Sequence, residues 1–180
     1  DMQSVSSVVD DMLQEGMKVI AIARKNVGHQ REITPADEFN MTLVGYLSFF
    51  DAPKQTAKES VAALKRLKVT PKILTGDQAA IAVSVCHRVG ISAEAVLTGA
   101  KLDEMTDSEL RKAVEEIYVF AELTPGQKVR LVSALQENGH SVGFLGDGVN
   151  DIPALNEANV GISVDTAVDS AKDACLLYTS

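Results

Sequence analysis

The sequence predicts an α/β protein built around a Rossmann-like, mostly parallel sheet. From about residue 50 onward, short apolar segments alternate with helical segments that carry apolar residues on one face. Strands that alternate with helices typically form a parallel sheet that is covered on both faces. The first 50 residues follow another pattern, with one helix and two longer apolar strands. We therefore predict two domains, comprising residues 1–50 and 51–180.

The amino-terminal segment is predicted to contain a helix over residues 5–15 and apolar strands over residues 17–23 and 42–50. A polar stretch separates the two strands. The run Asp51-Ala52-Pro53-Lys54 then interrupts the pattern, because a residue that precedes proline is driven out of the helical conformation. We interpret this run as a hinge or a domain boundary.

Capping residues define the helices of the second segment. Thr106 with Glu109 and Thr124 with Gln127 are predicted capping boxes, and Gly90 is a typical helix-ending glycine. The predicted helices cover residues 54–67, 78–89, 107–117 and 125–138. The predicted strands cover residues 72–74, 95–97, 119–121, 141–145, 160–164 and 176–177.

The most informative stretch is the acidic loop, Gly146-Asp147-Gly148-Val149-Asn150-Asp151. It follows a predicted strand, and open α/β sheets bind ligands at the carboxyl ends of their strands. Its glycines permit a close approach of a phosphate group. Asp147 and Asp151 are separated by a sharp turn, so both can face one Mg²⁺ ion, which binds a few carboxylates together with phosphate oxygens and water. The alternative is a plain Gly-Asp turn without a ligand.

Two further residues complete a set suited to phosphoryl transfer. Thr75 ends a predicted strand, where its hydroxyl can donate to a phosphoryl oxygen, and Lys128 lies in the first turn of a capped helix, where a lysine is unfavourable to the helix dipole. Taken singly, Thr75 is explained as well by a capping role, and Lys128 by a place on the surface. Together with the acidic loop they supply a hydroxyl donor, a cation and a magnesium site, which are the groups that stabilise charge in phosphoryl transfer.

Composition excludes several other classes of protein. The formal net charge of −8 argues against nucleic acid as a partner, because such binding needs a basic surface. No apolar run approaches the roughly 18 residues of a membrane span. The two cysteines make no disulfide framework, and we interpret Cys86 as a core residue.

The motifs resemble those of the haloacid dehalogenase superfamily, in the form found in P-type cation-transporting ATPases. The matching residues are Thr75-Gly76-Asp77, Thr124-Pro125-Gly126-Gln127-Lys128 and the acidic loop. The run from Asp51 to Lys54 is similar to the hinge of these pumps, with Ala52 as a departure. Among the branches, the chain most resembles bacterial magnesium-transporting ATPases, for example in Ile73-Leu74-Thr75-Gly76-Asp77 and in residues 161–169. The resemblance covers the whole chain.

The resemblance implies specific roles for these residues. Mg²⁺ would be held by Asp147, with Asp151 in the magnesium shell or on Lys128, while Lys128 and Thr75 would balance charge on the transferred group of ATP. The implied cofactor-binding residues are Thr75, Gly76, Asp77, Lys128, Asn150, Asp51 and Lys54, with the last two at the hinge. Residues 1–50 would end a nucleotide-binding domain, and residues 51–180 would form most of a phosphorylation domain. The implied partners are ATP, a transported cation (Mg²⁺ by the branch) and the rest of a pump at the cytosolic face of a bacterial membrane.

The resemblance also implies a missing strand. P-type pumps are phosphorylated on the aspartate of an Asp-Lys-Thr-Gly-Thr motif, and this run is absent from the 180 residues. In the family it belongs to the central strand, between the strands that end at Leu74 and Leu145. We therefore expect a gap or a strained closure in the sheet, and no ATPase activity from this segment alone. Two alternatives are a stand-alone phosphatase of the same superfamily and a non-catalytic α/β binding module.

Overall fold

The computed structural model describes residues 2–14, 17–28, 32, 34–49, 53–175 and 177–179. The chain divides into two compact units, residues 1–52 and residues 53–180. None of the helices in the described ranges combines the length and the hydropathy that a membrane-spanning helix needs.

The first unit contains one helix and an antiparallel pair of strands. Helix α1 (Met2–Gln14) precedes β1 (Lys18–Arg24), which pairs with β2 (Thr42–Phe49). The register shifts between Ile22 and Ala23, where the ladder has a bulge or irregularity. A 3-10 turn, Pro35–Asp37, lies between the strands and is held by the hydrogen bond from the Thr34 backbone N–H to the Asp37 carboxylate. The predicted helix and both predicted strands are confirmed, within a few residues at their ends.

The second unit alternates strands and helices, as the sequence predicts. Its helices are α2 (Ala57–Arg66), α3 (Ala79–Val89), α4 (Gly99–Glu104), α5 (Asp107–Glu116), α6 (Pro125–Glu137), α7 (Ile152–Glu157) and α8 (Asp169–Asp173). Its strands are β3 (Ile73–Leu74), β4 (Val96–Thr98), β5 (Val119–Ala121), β6 (Gly143–Leu145), β7 (Val160–Val164) and β8 (Leu177–Thr179). All of the strand pairs in this unit are parallel.

The predicted caps are present at both ends of the helices. Thr106 and Thr124 each accept a hydrogen bond from the backbone N–H three residues later, and each forms a full capping box. Gly90 and Gly139 close α3 and α6 with left-handed φ angles of 80° and 87°, which glycine adopts without steric cost.

Some elements differ from the sequence prediction. Helix α2 begins at Ala57 instead of residue 54, because residues 55 and 56 form a turn. The apolar side chain of Leu64 in this helix is exposed. Helices α4 and α8 were not predicted, because segments of five and six residues are too short to display helical periodicity.

The strands form two separate three-stranded sheets, with the orders β3-β5-β4 and β6-β7-β8. Helix α6 packs against both of them. Its Leu131 lies in a cluster with Leu97 and Phe120 of the first sheet, whereas its Val132 lies in a cluster with Phe144 of the second. Leu74 of β3 packs against both clusters. The core of the unit is therefore continuous across α6, although its sheets are not.

Strands β3 and β6 belong to different sheets. Each of these strands is at the edge of its own sheet, and no described strand pairs with either free edge. The family resemblance predicts a gap between the strands that end at Leu74 and Leu145. Both strands are edges of separate sheets, and the position of the gap stays a prediction. The side chain of Leu145 is 64% exposed.

Candidate phosphoryl-transfer site

Thr75 is fixed at the carboxyl end of β3 by its pairing with β5. Its backbone N–H donates to Phe120 at 2.9 Å, and its carbonyl accepts from the backbone N–H of Leu123 at 3.0 Å. The Thr75 hydroxyl oxygen accepts from the backbone N–H of Asp77 at 3.0 Å, which folds Thr75-Gly76-Asp77 into a tight turn. Because the hydroxyl oxygen accepts this bond, its hydrogen is left to donate to another group.

Lys128 lies in the first turn of α6, whose amino-terminal cap is Thr124. Its ammonium Nζ donates to Oδ1 of Asp151 at 2.7 Å. The two side chains are only 11% and 15% exposed, so this ion pair is nearly removed from water. The sequence prediction left open whether Asp151 holds Lys128 or belongs to a magnesium shell. The observed contact is the one with Lys128.

The acidic loop leaves β6 and ends in a 3-10 turn, Val149–Asp151. A Cβ atom placed on Gly146 would lie 2.6 Å from Cβ of Asp151, so no larger residue fits there without a shift. The Gly146 N–H donates to Ile162 at 3.1 Å, and the Val168 N–H donates to the Asp147 carbonyl at 3.2 Å. Two backbone bonds therefore hold the loop against β7 and the residues after it, while residue Asp147 is exposed.

The predicted site residues belong to connected parts of the structure. Thr75 bonds Leu123, the next residue caps α6, and the helix carries Lys128 to Asp151 in the acidic loop. Gly76, Asp77 and Asn150 are exposed residues of the same two loops, and Lys54 is exposed just before α2. Asp51 lies outside the described residues. The roles assigned to all of these residues stay predictions.

The donor set fits a magnesium ion that shares its coordination with phosphate. Within the described ranges there is no group of three or more His, Cys, Asp or Glu side chains that could hold a metal ion. Mg²⁺ does not need such a cage, because it commonly binds one or two carboxylates together with waters and phosphate oxygens. The exposed Asp147 suits this mode, whereas Asp151 has an oxygen committed to Lys128.

Two residues that support the site were not identified as such from the sequence. The buried Ser163 donates its hydroxyl to the Gly146 carbonyl at 3.0 Å. Glu122 has a left-handed φ of 57°. Its backbone N–H donates to the Asp77 carbonyl at 2.9 Å. Its carboxylate accepts a hydrogen bond of 3.3 Å from the backbone N–H of Ala79, the first residue of α3. The only sequence signal for Ser163 is a hydroxyl in an apolar strand. No sequence signal identifies Glu122, because its left-handed φ angle is set by the junction of β5 with α6.

Comparison with known proteins gives matches along most of the chain. A profile of the haloacid dehalogenase-like hydrolases matches residues 7–159. A protein named Magnesium-transporting ATPase, P-type 1, from Salmonella typhimurium is 46% identical over 91% of this chain and 18% of its own length. Its namesake from Escherichia coli K12 is 42% identical over 96% of this chain and 19% of its own length. Calcium-transporting ATPase 1 of Lactococcus lactis is 37% identical over 89% of this chain and 19% of its own length. The chain thus spans about a fifth of the length of these relatives.

Proposed function

The chain belongs to the haloacid dehalogenase-like hydrolases, and we propose that it is the part of a P-type cation-transporting ATPase that stabilises the phosphoryl group during transfer. In this proposal residues 53–180 form most of the phosphorylation domain, and the first unit ends the nucleotide-binding domain. The similarity to three pumps over about a fifth of their lengths supports the proposal.

The observation that carries the proposal is the buried contact between Lys128 and Asp151. A lysine with only a surface role would keep its ammonium group hydrated, whereas the Lys128 side chain is nearly buried. Burial of an ion pair contributes little net stability, so stability alone does not account for this arrangement. The contact instead holds an ammonium group beside the loop that carries Asp147. There its positive charge would stabilise the negative charge that spreads over a transferring phosphoryl group.

Thr75 would supply a second interaction with the same group. Its oxygen is already held by the Asp77 N–H, so the direction of its hydroxyl is restricted before any ligand binds. Such preorganised donors cost little reorganisation when charge develops. Asp147 would hold Mg²⁺, which neutralises charge on phosphate oxygens when bound. Asn150 would bond the phosphate or the adjacent backbone, and Asp151 would keep Lys128 in place.

The remaining assignments concern the whole pump. Gly76 and Asp77 would lie near the bound ATP, and Asp51 and Lys54 would act at the hinge between the two domains. The transported cation would be Mg²⁺, as the names of the two enterobacterial relatives suggest. The segment would lie on the cytosolic side of a bacterial membrane.

The test is phosphoenzyme formation in the complete parent reading frame that contains this chain. With labelled ATP and Mg²⁺, the unaltered protein should acquire an acid-stable label. The Asp147→Asn variant should not, because the magnesium site loses its charge. The matched control is Asp103→Asn, which removes an exposed carboxylate from α4. Full labelling of the Asp147→Asn protein would refute the proposed site.

The 180-residue chain supplies a second arm. It contains no Asp-Lys-Thr-Gly-Thr run, so we expect no ATP turnover from it. We do expect it to bind a phosphate analogue such as vanadate in a Mg²⁺-dependent manner that Lys128→Gln weakens. Steady hydrolysis of ATP or phosphate esters by this chain would favour the stand-alone phosphatase. Absence of Mg²⁺-dependent binding from a folded chain would favour a non-catalytic module.

A further inference from the structure

A cavity of about 530 Å³ opens at the amino ends of β3, β4 and β5, on the opposite edge of this sheet from Thr75. Its walls are the connections that lead into these three strands, residues 68–71, 91–92 and 118, together with the end of α2. The volume lies in the range of pockets that bind small molecules. None of the residues assigned to phosphoryl transfer lines it.

The cavity is basic in a chain that is otherwise strongly acidic. Residues 65–72, Lys-Arg-Leu-Lys-Val-Thr-Pro-Lys, contain four basic residues and no acidic one, although the chain has a net charge of −8. Lys65 and Lys68 both line the cavity. The Lys65 ammonium donates to the Gly90 carbonyl at 2.6 Å, next to Ile91 in the cavity wall. This bond holds one positive charge at the cavity and leaves two of its three N–H donors for a ligand.

Lys68 has a backbone conformation that residues other than glycine rarely adopt. Lys68 closes α2 with a left-handed φ of 60°, the conformation that Gly90 and Gly139 adopt after α3 and α6. Glycine is the usual residue at this position because any Cβ is strained there. Favourable interaction with the helix dipole accounts for Lys65 and Arg66 in the last turn. It does not account for a strained lysine in place of glycine, and such strain tends to occur at binding sites.

The rest of the lining is suited to a ligand with both polar and apolar parts. Thr70 and Ser92 provide hydroxyl groups, and the buried Ile91 and half-buried Tyr118 provide apolar surface. The Lys72 ammonium lies 4.7 Å from the centroid of the Tyr118 ring, but it donates to the Ile117 carbonyl at 2.8 Å and does not line the cavity.

Glu115 is the acidic group that interacts electrostatically with Lys72. Its carboxylate accepts hydrogen bonds from Asn138 at 2.5 Å and contacts the ring nitrogen of His140 at 2.9 Å. It is therefore already bound to residues of another part of the unit. Among the described residues, no ion pair joins Lys65 or Lys68 to an acidic side chain.

We propose that this cavity binds a phosphate monoester with a small planar, apolar body. The dianionic phosphate would interact with Lys65 and Lys68 and accept hydrogen bonds from Thr70 and Ser92, while the body would pack on Ile91 and Tyr118. This site is separate from the phosphoryl-transfer site and does not need Mg²⁺.

The test is titration of the 180-residue chain with phenyl phosphate in the presence of EDTA. Calorimetry measures the affinity, and backbone amide NMR locates the binding site. We expect shifts at residues 68–71 and 91–92, and weaker binding at high salt. Inorganic phosphate lacks the apolar ring of phenyl phosphate, and benzoate lacks the second negative charge of the phosphate group. Both should therefore bind more weakly than phenyl phosphate. Benzoate binding as tightly as phenyl phosphate would overturn the proposed ligand class.

Variants of the basic run separate binding from folding. Lys68→Gly relieves the backbone strain, so it should raise the unfolding temperature while it weakens binding about tenfold through the loss of a charged hydrogen bond. Lys65→Gln should also weaken binding. The matched control is Arg66→Gln, which removes one charge from the same run but does not line the cavity. Equal binding by the Lys68→Gly and Arg66→Gln proteins would overturn the proposal.

The presence of EDTA separates this proposal from the function proposed above. Phenyl phosphate bound at the phosphoryl-transfer site would require Mg²⁺ and would shift amides of residues 75–77 and 146–151. Shifts confined to those residues, and seen only with Mg²⁺, would overturn the cavity proposal and leave the proposed function intact. Shifts in the cavity without Mg²⁺ would support the cavity whatever the outcome of the phosphoenzyme test.

Discussion

The residues of the candidate site differ in how their charges are held. Lys128 and Asp151 are withdrawn from water and directly paired, whereas Asp147, in the same loop as Asp151, is exposed. This difference separates two tasks within one acidic loop. A paired carboxylate fixes a cation, and an exposed one is available to a metal ion.

We expect the loss of either partner of the buried pair to destabilise the second unit. Lys128→Met leaves the Asp151 carboxylate buried without a counter-charge, which typically costs about 3 kcal/mol of unfolding free energy. Asp151→Asn should cost less, because the amide oxygen can still accept a hydrogen bond. The double variant should cost less than the sum of the single variants. Urea unfolding monitored by circular dichroism measures all three.

Lys112→Met is the control for the buried pair, because Lys112 is an exposed lysine on α5. It should change the unfolding free energy by no more than about 0.5 kcal/mol. If the effects of Lys128→Met and Asp151→Asn on the unfolding free energy were additive in the double variant, Lys128 and Asp151 would not interact in solution.

Glu122 allows backbone strain to be separated from a side-chain contact. Both Glu122→Ala and Glu122→Gly remove the carboxylate that bonds the Ala79 N–H, but only glycine tolerates a φ of 57° without strain. We therefore expect the glycine variant to be more stable than the alanine variant by about 1 kcal/mol. Chemical unfolding of the two proteins measures the difference. A more stable alanine variant would mean that the left-handed angle is not retained in solution.

At the scale of elements, the sequence predicted what local chemistry determines. The caps at Thr106 and Thr124, the closing glycines and the strand at Val119–Ala121 all depend on neighbouring residues, and each is confirmed. Helix α4 depends instead on a distant contact, because Gln127 donates to the carbonyl of Gly99 at 3.1 Å. Contacts between residues 28 positions apart leave no periodic signal in a sequence.

The end of α5 is joined to the end of α6 by Glu115. Hydrogen bonds from Asn138 and His140 to its carboxylate lower the pKa of Glu115 below its ordinary value of 4.5. Because the folded-state pKa is depressed, the stabilisation is fully present above the unfolded-state pKa. It is lost as the pH falls through the folded-state pKa.

We accordingly expect Glu115→Gln to lower stability at neutral pH and to have a diminishing effect below about pH 4.5. Urea unfolding of both proteins over a pH series measures this difference. Glu116→Gln, a change at the exposed neighbouring residue, should show no such dependence. A difference that stays constant down to the lowest pH would mean that Glu115 acts through packing instead of charge.

At the scale of the whole molecule, the motif resemblance predicted more than residue patterns did. The resemblance to the haloacid dehalogenase superfamily is confirmed by the family match, and the similar relatives are P-type pumps. It also predicted a gap in the sheet, which hydrophobic periodicity could not do, because periodicity identifies strands but not their order. The site roles stay predictions, because phosphate and metal ions position side chains that the fold alone does not fix.

The unpaired edges of β3 and β6 should make the second unit unevenly stable. An open edge between two apolar strands leaves backbone groups without partners and exposes side chains such as Leu145. Among the described strands, β5 is paired on both sides, by β3 and β4, whereas β6 is paired by β7 alone. We therefore expect the 180-residue chain to be marginally stable and to associate through these edges.

Hydrogen exchange of this chain tests the expectation, and β5 is its internal control. Amides of Val119–Ala121 should exchange slowly, at rates close to those of the middle of α6, because their opening requires the core to open. Amides of Gly143–Leu145 should exchange faster, because β6 can separate from β7 locally. If the proposed pump supplies a strand between β3 and β6, that strand should slow the exchange of β6 to that of β5. If β6 is already protected as strongly as β5 in the 180-residue chain, the edge is closed in solution and the slot for a further strand does not exist.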